Sequence, residues 1–254
     1  MKRISIVILI ALLLGSGLSY AQKAQSQTLP LPKIGIDIGT SESGKDVSVT
    51  LQILLLMTVL SLAPSLMIMT TSYLRLIIVF HFLKTAMGTP QMPPSQLLAG
   101  IALFVTFFIM APTFNKINDT ALQPLMNNEI TTKEAYDRGI QPLRQFMFKN
   151  TREQDLQLFI NLASMNRPSN QDDIPTYILI PSFVLSELRA GFIIGFFLFI
   201  PFIMVDMIVS SILLSMGMMM LPPMMISLPF KILLFILVDG WNLVIGSVVR
   251  SFAQ

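Results

Sequence analysis

From Ala190 to Met220 the chain carries one charged side chain, Asp206. As a single straight helix this run exceeds ~40 Å at 1.5 Å per residue, longer than the ~30 Å hydrocarbon core of a bilayer requires. A stretch this apolar needs lipid or a protein neighbour on every side, so it limits the chain to membrane-embedded architectures. Composition agrees: 53% of residues are hydrophobic and 12% charged, with a mean hydropathy of +0.70, outside the soluble globular range. Pro201 offers a kink, and Gly191 with Gly195 gives a Gly-x-x-x-Gly face for close helix packing. Glu187, one turn earlier, starts that face with a carboxylate.

The run ends at Gly217, Met218, Met219, Met220, Leu221, Pro222 and Pro223. The prolines cannot continue a helix and Gly217 loosens the backbone before them, which predicts a tight apolar loop. Methionine is unbranched and polarizable, so three in a row make a surface that deforms around whatever touches it. Leu228–Val249 is expected as a last hydrophobic helix, with Lys231 near its start and Asp239 in its middle. Each charge within an apolar helix costs about 2.5–3.5 kcal/mol at the centre of a span, so each needs a partner or a route to the interface. The hairpin about the methionine loop brings Lys231 toward Asp206. Glu187 is a competing partner, in the same chain or another copy, and snorkelling of Lys231 to the interface is the alternative.

At the other end, Met1–Ala21 reads as a cleavable signal. Lys2 and Arg3 precede a short apolar core, and Ser19-Tyr20-Ala21 is a small-x-small cleavage pattern before Gln22. Residues 22–46 form a polar leader. A first hydrophobic hairpin is expected over 47–112: helix Val47–Met69 with Pro64 as a kink, then Tyr73–Ala86, then Ser95–Met110 stopping near Pro112. Arg75 and Lys84 between the spans suit a cytoplasmic tip by the positive-inside rule. Residues 113–175 form a small polar insert with two amphipathic helices. Its signals are capping boxes at Thr131/Glu134 and Thr151/Gln154, with Phe146 and Phe159 expected to bury within the chain or against another copy. Residues 176–254 hold the C-terminal hydrophobic helices and the methionine loop. The fold class is an all-α membrane protein, with hydrophobic hairpins flanking a small helical insert.

Chemistry is limited by inventory. With no cysteine and one histidine, His81, thiolate nucleophiles, disulfides and Cys/His metal sites are excluded. No nucleophile elbow, His-Glu-x-x-His or phosphate loop occurs, so no catalytic, cofactor-binding or metal-ligating residue is assigned. A net charge of +3 without a basic stripe gives nucleic-acid binding no support. A channel or a transporter remains, and a transporter would want broken helices in both halves, where only one such loop is visible.

Several stretches resemble the FliP family of flagellar type III export-gate proteins, homologous to an injectisome export subunit: PSFVLSELRAGFIIGF (181–196), PFIMVDMIVSSILLSMGMMMLPP (201–223), LPFKILLFILVDGWNLVIGS (228–247) and 71–88. The likeness covers nearly everything after residue 47. It departs at Ile193, where the family often has a polar side chain, and at His81, where a smaller residue is usual. The resemblance implies a non-enzymatic subunit without cofactor in a multi-pass inner-membrane assembly of the flagellar basal body. Five copies would wind with FliQ and FliR into a helical ring passing unfolded flagellar subunits, closed by a gasket of Met218, Met219 and Met220. An autonomous transporter or ion channel is the alternative.

Overall fold

Long apolar runs broken by Gly and Pro make helices here, and every element among the described residues of the computed structural model is helical. These residues are 44–89, 92–165, 168–218 and 221–253. The expected signal, nearly all of the leader, and Met219 and Met220 lie outside them. The chain divides into two units, Met1–Leu55 and Leu56–Gln254. The described part of the first is the opening of helix α1; the packing below belongs to the second.

Helix α1 (Gly44–Thr70) passes through Pro64 and leaves Leu56, Leu60 and Leu66 exposed. α2 (Tyr73–Met87) is the opposite case: Leu76, Val79, Phe80 and Leu83 are wholly buried. It ends at Gly88, whose left-handed φ of +68° lets its N–H reach the Thr85 carbonyl at 3.1 Å. α3 (Ser95–Ile117) does not stop near Pro112; it runs through the proline and continues as a π turn, Asn118–Leu122, and a short α4, Gln123–Met126. In apolar surroundings no water competes for the backbone groups a proline frees, so the rest of the ladder holds.

The insert carries α5 (Thr132–Asn150) and α6 (Glu153–Leu162). The Thr131/Glu134 capping box forms, and its hydrogen bonds from the Thr131 backbone N–H and hydroxyl hold the Glu134 carboxyl below its ordinary value. The second expected box does not form. Thr151 closes α5 instead, its hydroxyl donating to the Met147 carbonyl at 2.7 Å, and Arg152 takes the N-cap of α6. Two helices meet within so few residues that one hydroxyl serves the carbonyl behind it rather than the amide ahead.

α7 (Thr176–Ser215) is one 40-residue helix with Pro181 and Pro201 inside it. The expected last helix is two: α8 (Pro223–Leu237) and α9 (Gly240–Ala253), bent by 62°. The break has a local cause, because the Phe235 ring lies where a Cβ on Gly240 would stand, and Asp239 adopts φ +49°. The main core joins Leu76, Phe80 and Leu83 of α2 to Ala102 of α3, Phe202 of α7, and Val244 and Val248 of α9. A second cluster, Met147, Leu179 and Phe183, seats α5 on α7. A third, Ile160, Ile174 and Ile178, seats α6 at the start of α7.

Among the described residues, three helices, or four with the bent pair, are long and apolar enough to cross a membrane. Phe104, Phe108, Phe197 and Met207 are all at least 66% exposed, far more bare apolar surface than water tolerates. This is an all-α membrane protein.

Candidate functional site

α2 and α7 approach face to face, and small residues set the distance. A Cβ on Gly191 would stand 3.0 Å from the Ile78 side chain, and one on Gly195 2.5 Å from the Phe82 ring. The Gly-x-x-x-Gly face thus receives two side chains of α2, four residues apart, within this chain. With both glycines in contact, Glu187 one turn earlier is carried into the interior, where it is wholly buried.

Its partner there is Arg75. Nε donates to Glu187 Oε2 at 2.9 Å, and Nη2 donates to Oε1 in a second, shorter contact. Nη1 reaches into α9, donating to Ser251 Oγ at 2.7 Å, and the Phe252 ring lies 3.7 Å from the guanidinium carbon. One arginine thereby ties α2, α7 and α9 together. The planar fork satisfies both carboxylate oxygens, which makes the burial of two charges tolerable. Arg75 is therefore not the flanking charge of a loop tip that the positive-inside count took it for. Lys84 is only half buried and donates to Ser95 Oγ at 2.9 Å across the α2–α3 turn.

A second charge centre lies at the hairpin of α7 and α8. Lys231, 3% exposed, places Nζ 2.6 Å from Asp206 Oδ2 and donates to the Ala86 carbonyl at 3.1 Å. Ser227, one turn before Lys231, donates to Asp206 Oδ1 at 2.6 Å. Of the two carboxylates weighed for Lys231, Asp206 is the one in contact, and Glu187 is committed elsewhere. The lysine also leans on the end of α2: a Cβ on Gly88 would come within 3.6 Å of Nζ. Asp239 joins neither centre. It is exposed at the α8–α9 break and accepts from Asn242 Nδ2 at 3.2 Å.

The loop between α7 and α8 begins with a Schellman cap. Gly217, at φ +73°, donates to the Leu214 carbonyl, and Met218 N–H reaches back to Leu213 at 3.0 Å. Met218 is 41% exposed. Pro222 then sets the turn, and Pro223 opens α8 at a position where its missing N–H costs nothing.

Phe146 and Phe159 find partners inside the chain. Phe146 stacks on Phe252 with ring centroids 6.0 Å apart and meets Phe183 edge-on at 5.8 Å. Phe159 packs half-buried on the Ile160, Ile174 and Ile178 cluster. Sequence reasoning missed two arginines. Besides Arg75, the buried Arg144 gathers Thr176 Oγ1 at 2.7 Å and the Ile174 carbonyl at 2.7 Å, fixing the insert to the start of α7. The signal for Arg75 was legible: an arginine one residue before the apolar face of α2, and a carboxylate one turn before the Gly-x-x-x-Gly face of α7.

A sequence model of the FliP family matches residues 56–248, the span that holds both ion pairs and the loop. Among curated relatives, the flagellar biosynthetic protein FliP of Bacillus subtilis is 54% identical over 85% of this chain and 98% of its own length. The protein of the same name from Borreliella burgdorferi is 43% identical over 93% and 94%. That of Caulobacter vibrioides is 43% identical over 100% of this chain and 92% of its own length. A match that takes in both ion pairs and the loop between α7 and α8, with relatives aligned over most of their length, means that this chain belongs to the FliP family.

Proposed function

We propose that this chain is a non-enzymatic core subunit of the flagellar type III export gate, in the inner membrane at the basal body. The relatives named above are flagellar biosynthetic proteins, which supports a place in flagellar export. The observation that carries the gate reading is α7. Its 40 residues extend roughly 60 Å at 1.5 Å per residue, about twice the ~30 Å hydrocarbon thickness. Only 11% of its most apolar window is buried within the chain. A lone spanning helix, with lipid on every side, does not need that length. A subunit wound against further copies, five in number, and against FliQ and FliR would use it.

In this reading the two ion pairs hold the hairpin that presents Met218, Met219 and Met220 to the bore. A passage wide enough for an unfolded flagellar subunit is far wider than an ion, so its idle state needs an apolar plug that closes by dewetting. Three rotatable bonds let methionine yield to a passing chain and reclose, where a β-branched side chain would not. The Gly217 cap and the proline pair keep the loop off either helix axis. The test is genetic. A strain lacking this chain should make flagellar subunits and export none, and the intact chain should restore both export and swimming. Normal export in its absence would overturn the proposal.

A further inference from the structure

The charges that bound the apolar segments converge on one side of the molecule. Lys116 is the only charge in α3 and sits in its last turn. Arg189 stands immediately before the stretch of α7 whose one charge is Asp206. Lys149 and Arg152 lie at the junction of α5 and α6. Two neighbouring clefts bring them together and share Lys149 and Asn150 as their common wall. One cleft, about 490 Å³, is apolar over most of its length, lined by Phe108, Ile109, Pro112, Phe146 and Phe252, with Lys116 and Lys149 at its edge. The other, about 390 Å³, is lined by Lys149, Arg152, Arg189, Ser186 and Arg75.

Among the described residues no carboxylate lines either cleft. Arg75 is neutralised by Glu187. Lys116, Lys149 and Arg189 are exposed, and none makes an ion pair among the described residues. Arg152 spends Nη2 on Gln154, while Nη1 is buried with no hydrogen-bond partner. A buried guanidinium N–H without an acceptor is costly. The carboxylate nearby, Asp155, is buried and accepts from Ser186 Oγ at 2.7 Å, so cations at the end of α3 and at Arg189 within α7, with no ion-pair partner among the described residues, call for an anion.

We infer that these adjoining clefts bind one anionic phospholipid. Its headgroup phosphate lies among Lys149, Arg152 and Arg189, and an acyl chain lies along Phe108, Ile109 and Phe146. The chemistry selects a lipid over a free anion because the cationic cleft adjoins an apolar one across Lys149 and Asn150. A soluble anion would use the first cleft and leave the second bare. Interfacial lysines and arginines are where headgroups meet protein.

The test uses the full chain purified in a neutral detergent. Native mass spectrometry counts the phosphatidylglycerol or phosphatidylcholine retained after titration with each lipid. Phosphatidylglycerol should be kept in preference to phosphatidylcholine, and Lys149→Gln with Arg189→Gln should lower its affinity roughly tenfold to thirtyfold. Both side chains are exposed, so the double variant keeps its fold, and unchanged melting verifies this. Phe108→Ser, also at an exposed position, should weaken both lipids while preserving the preference. Equal retention of the two lipids, or undiminished phosphatidylglycerol binding by the double variant, overturns the inference. So does inorganic phosphate displacing phosphatidylglycerol at comparable concentration, or binding of an acidic peptide in the lipid's place.

Discussion

Arg75 and Glu187, 112 residues apart in the chain, meet as a two-pronged ion pair sealed from solvent, with Phe252 stacked on the arginine. Two charges in the interior are tolerable only together. Glu187→Ala or Arg75→Ala therefore leaves an uncompensated charge costing about 3–5 kcal/mol, while Arg75→Met with Glu187→Leu should cost less than either truncation. Melting of the detergent-extracted protein checks this. If the double substitution is as harmful as the sum of the two singles, the pair is not the unit that matters.

The second pair predicts differently, because Asp206 keeps a side chain 30% exposed. Lys231→Ala removes the contacts to Asp206 and to the Ala86 carbonyl together, so it should abolish assembly and swimming. Ser227→Ala removes one hydrogen bond to Asp206 and should cost only about 1 kcal/mol. A Lys231→Ala chain that assembles and supports motility would show that the hairpin does not depend on this contact.

Close packing of α2 on α7 gives a graded series. A Cβ at Gly195 would stand 2.5 Å from the Phe82 ring and one at Gly191 3.0 Å from an Ile78 methyl. Gly195→Ala should destabilise by about 1–3 kcal/mol, and Gly191→Ala by less. Phe82→Leu should restore part of the loss in the first case and none in the second. Chemical denaturation in detergent measures all three.

Much of this framework was readable in the residues. Apolar runs ending in Gly or Pro marked α2 and α7 within a few residues, and the Thr131/Glu134 box marked the start of α5. What escaped depended on neighbours far away in sequence. Pro112 looked like a stop because a proline in water exposes its freed carbonyl, whereas α3 keeps apolar company. Asp239 read as a charge within a helix, because nothing local shows that the Phe235 ring fills the space beside Gly240. The partner of Lys231 was open between two carboxylates until the Gly191 and Gly195 contacts fixed which way Glu187 faces. The two methionines that complete the proposed seal, Met219 and Met220, rest on the resemblance and on the chemistry of methionine alone.

Replacing Met218, Met219 and Met220 together with alanine should leave assembly intact and enlarge the closed passage. Cells should then admit small dyes and leak ions, with partial replacements in between. Wild-type tightness in cells whose assembly is verified would place the seal elsewhere.

The most direct test of a gate subunit is the mass of what mild detergent extracts when this chain is co-expressed with FliQ and FliR. The account predicts one large ring containing several copies of the chain, with both partners retained through purification. A chain that runs alone or as a small oligomer, without capturing either partner, would contradict it and favour an autonomous transporter or channel.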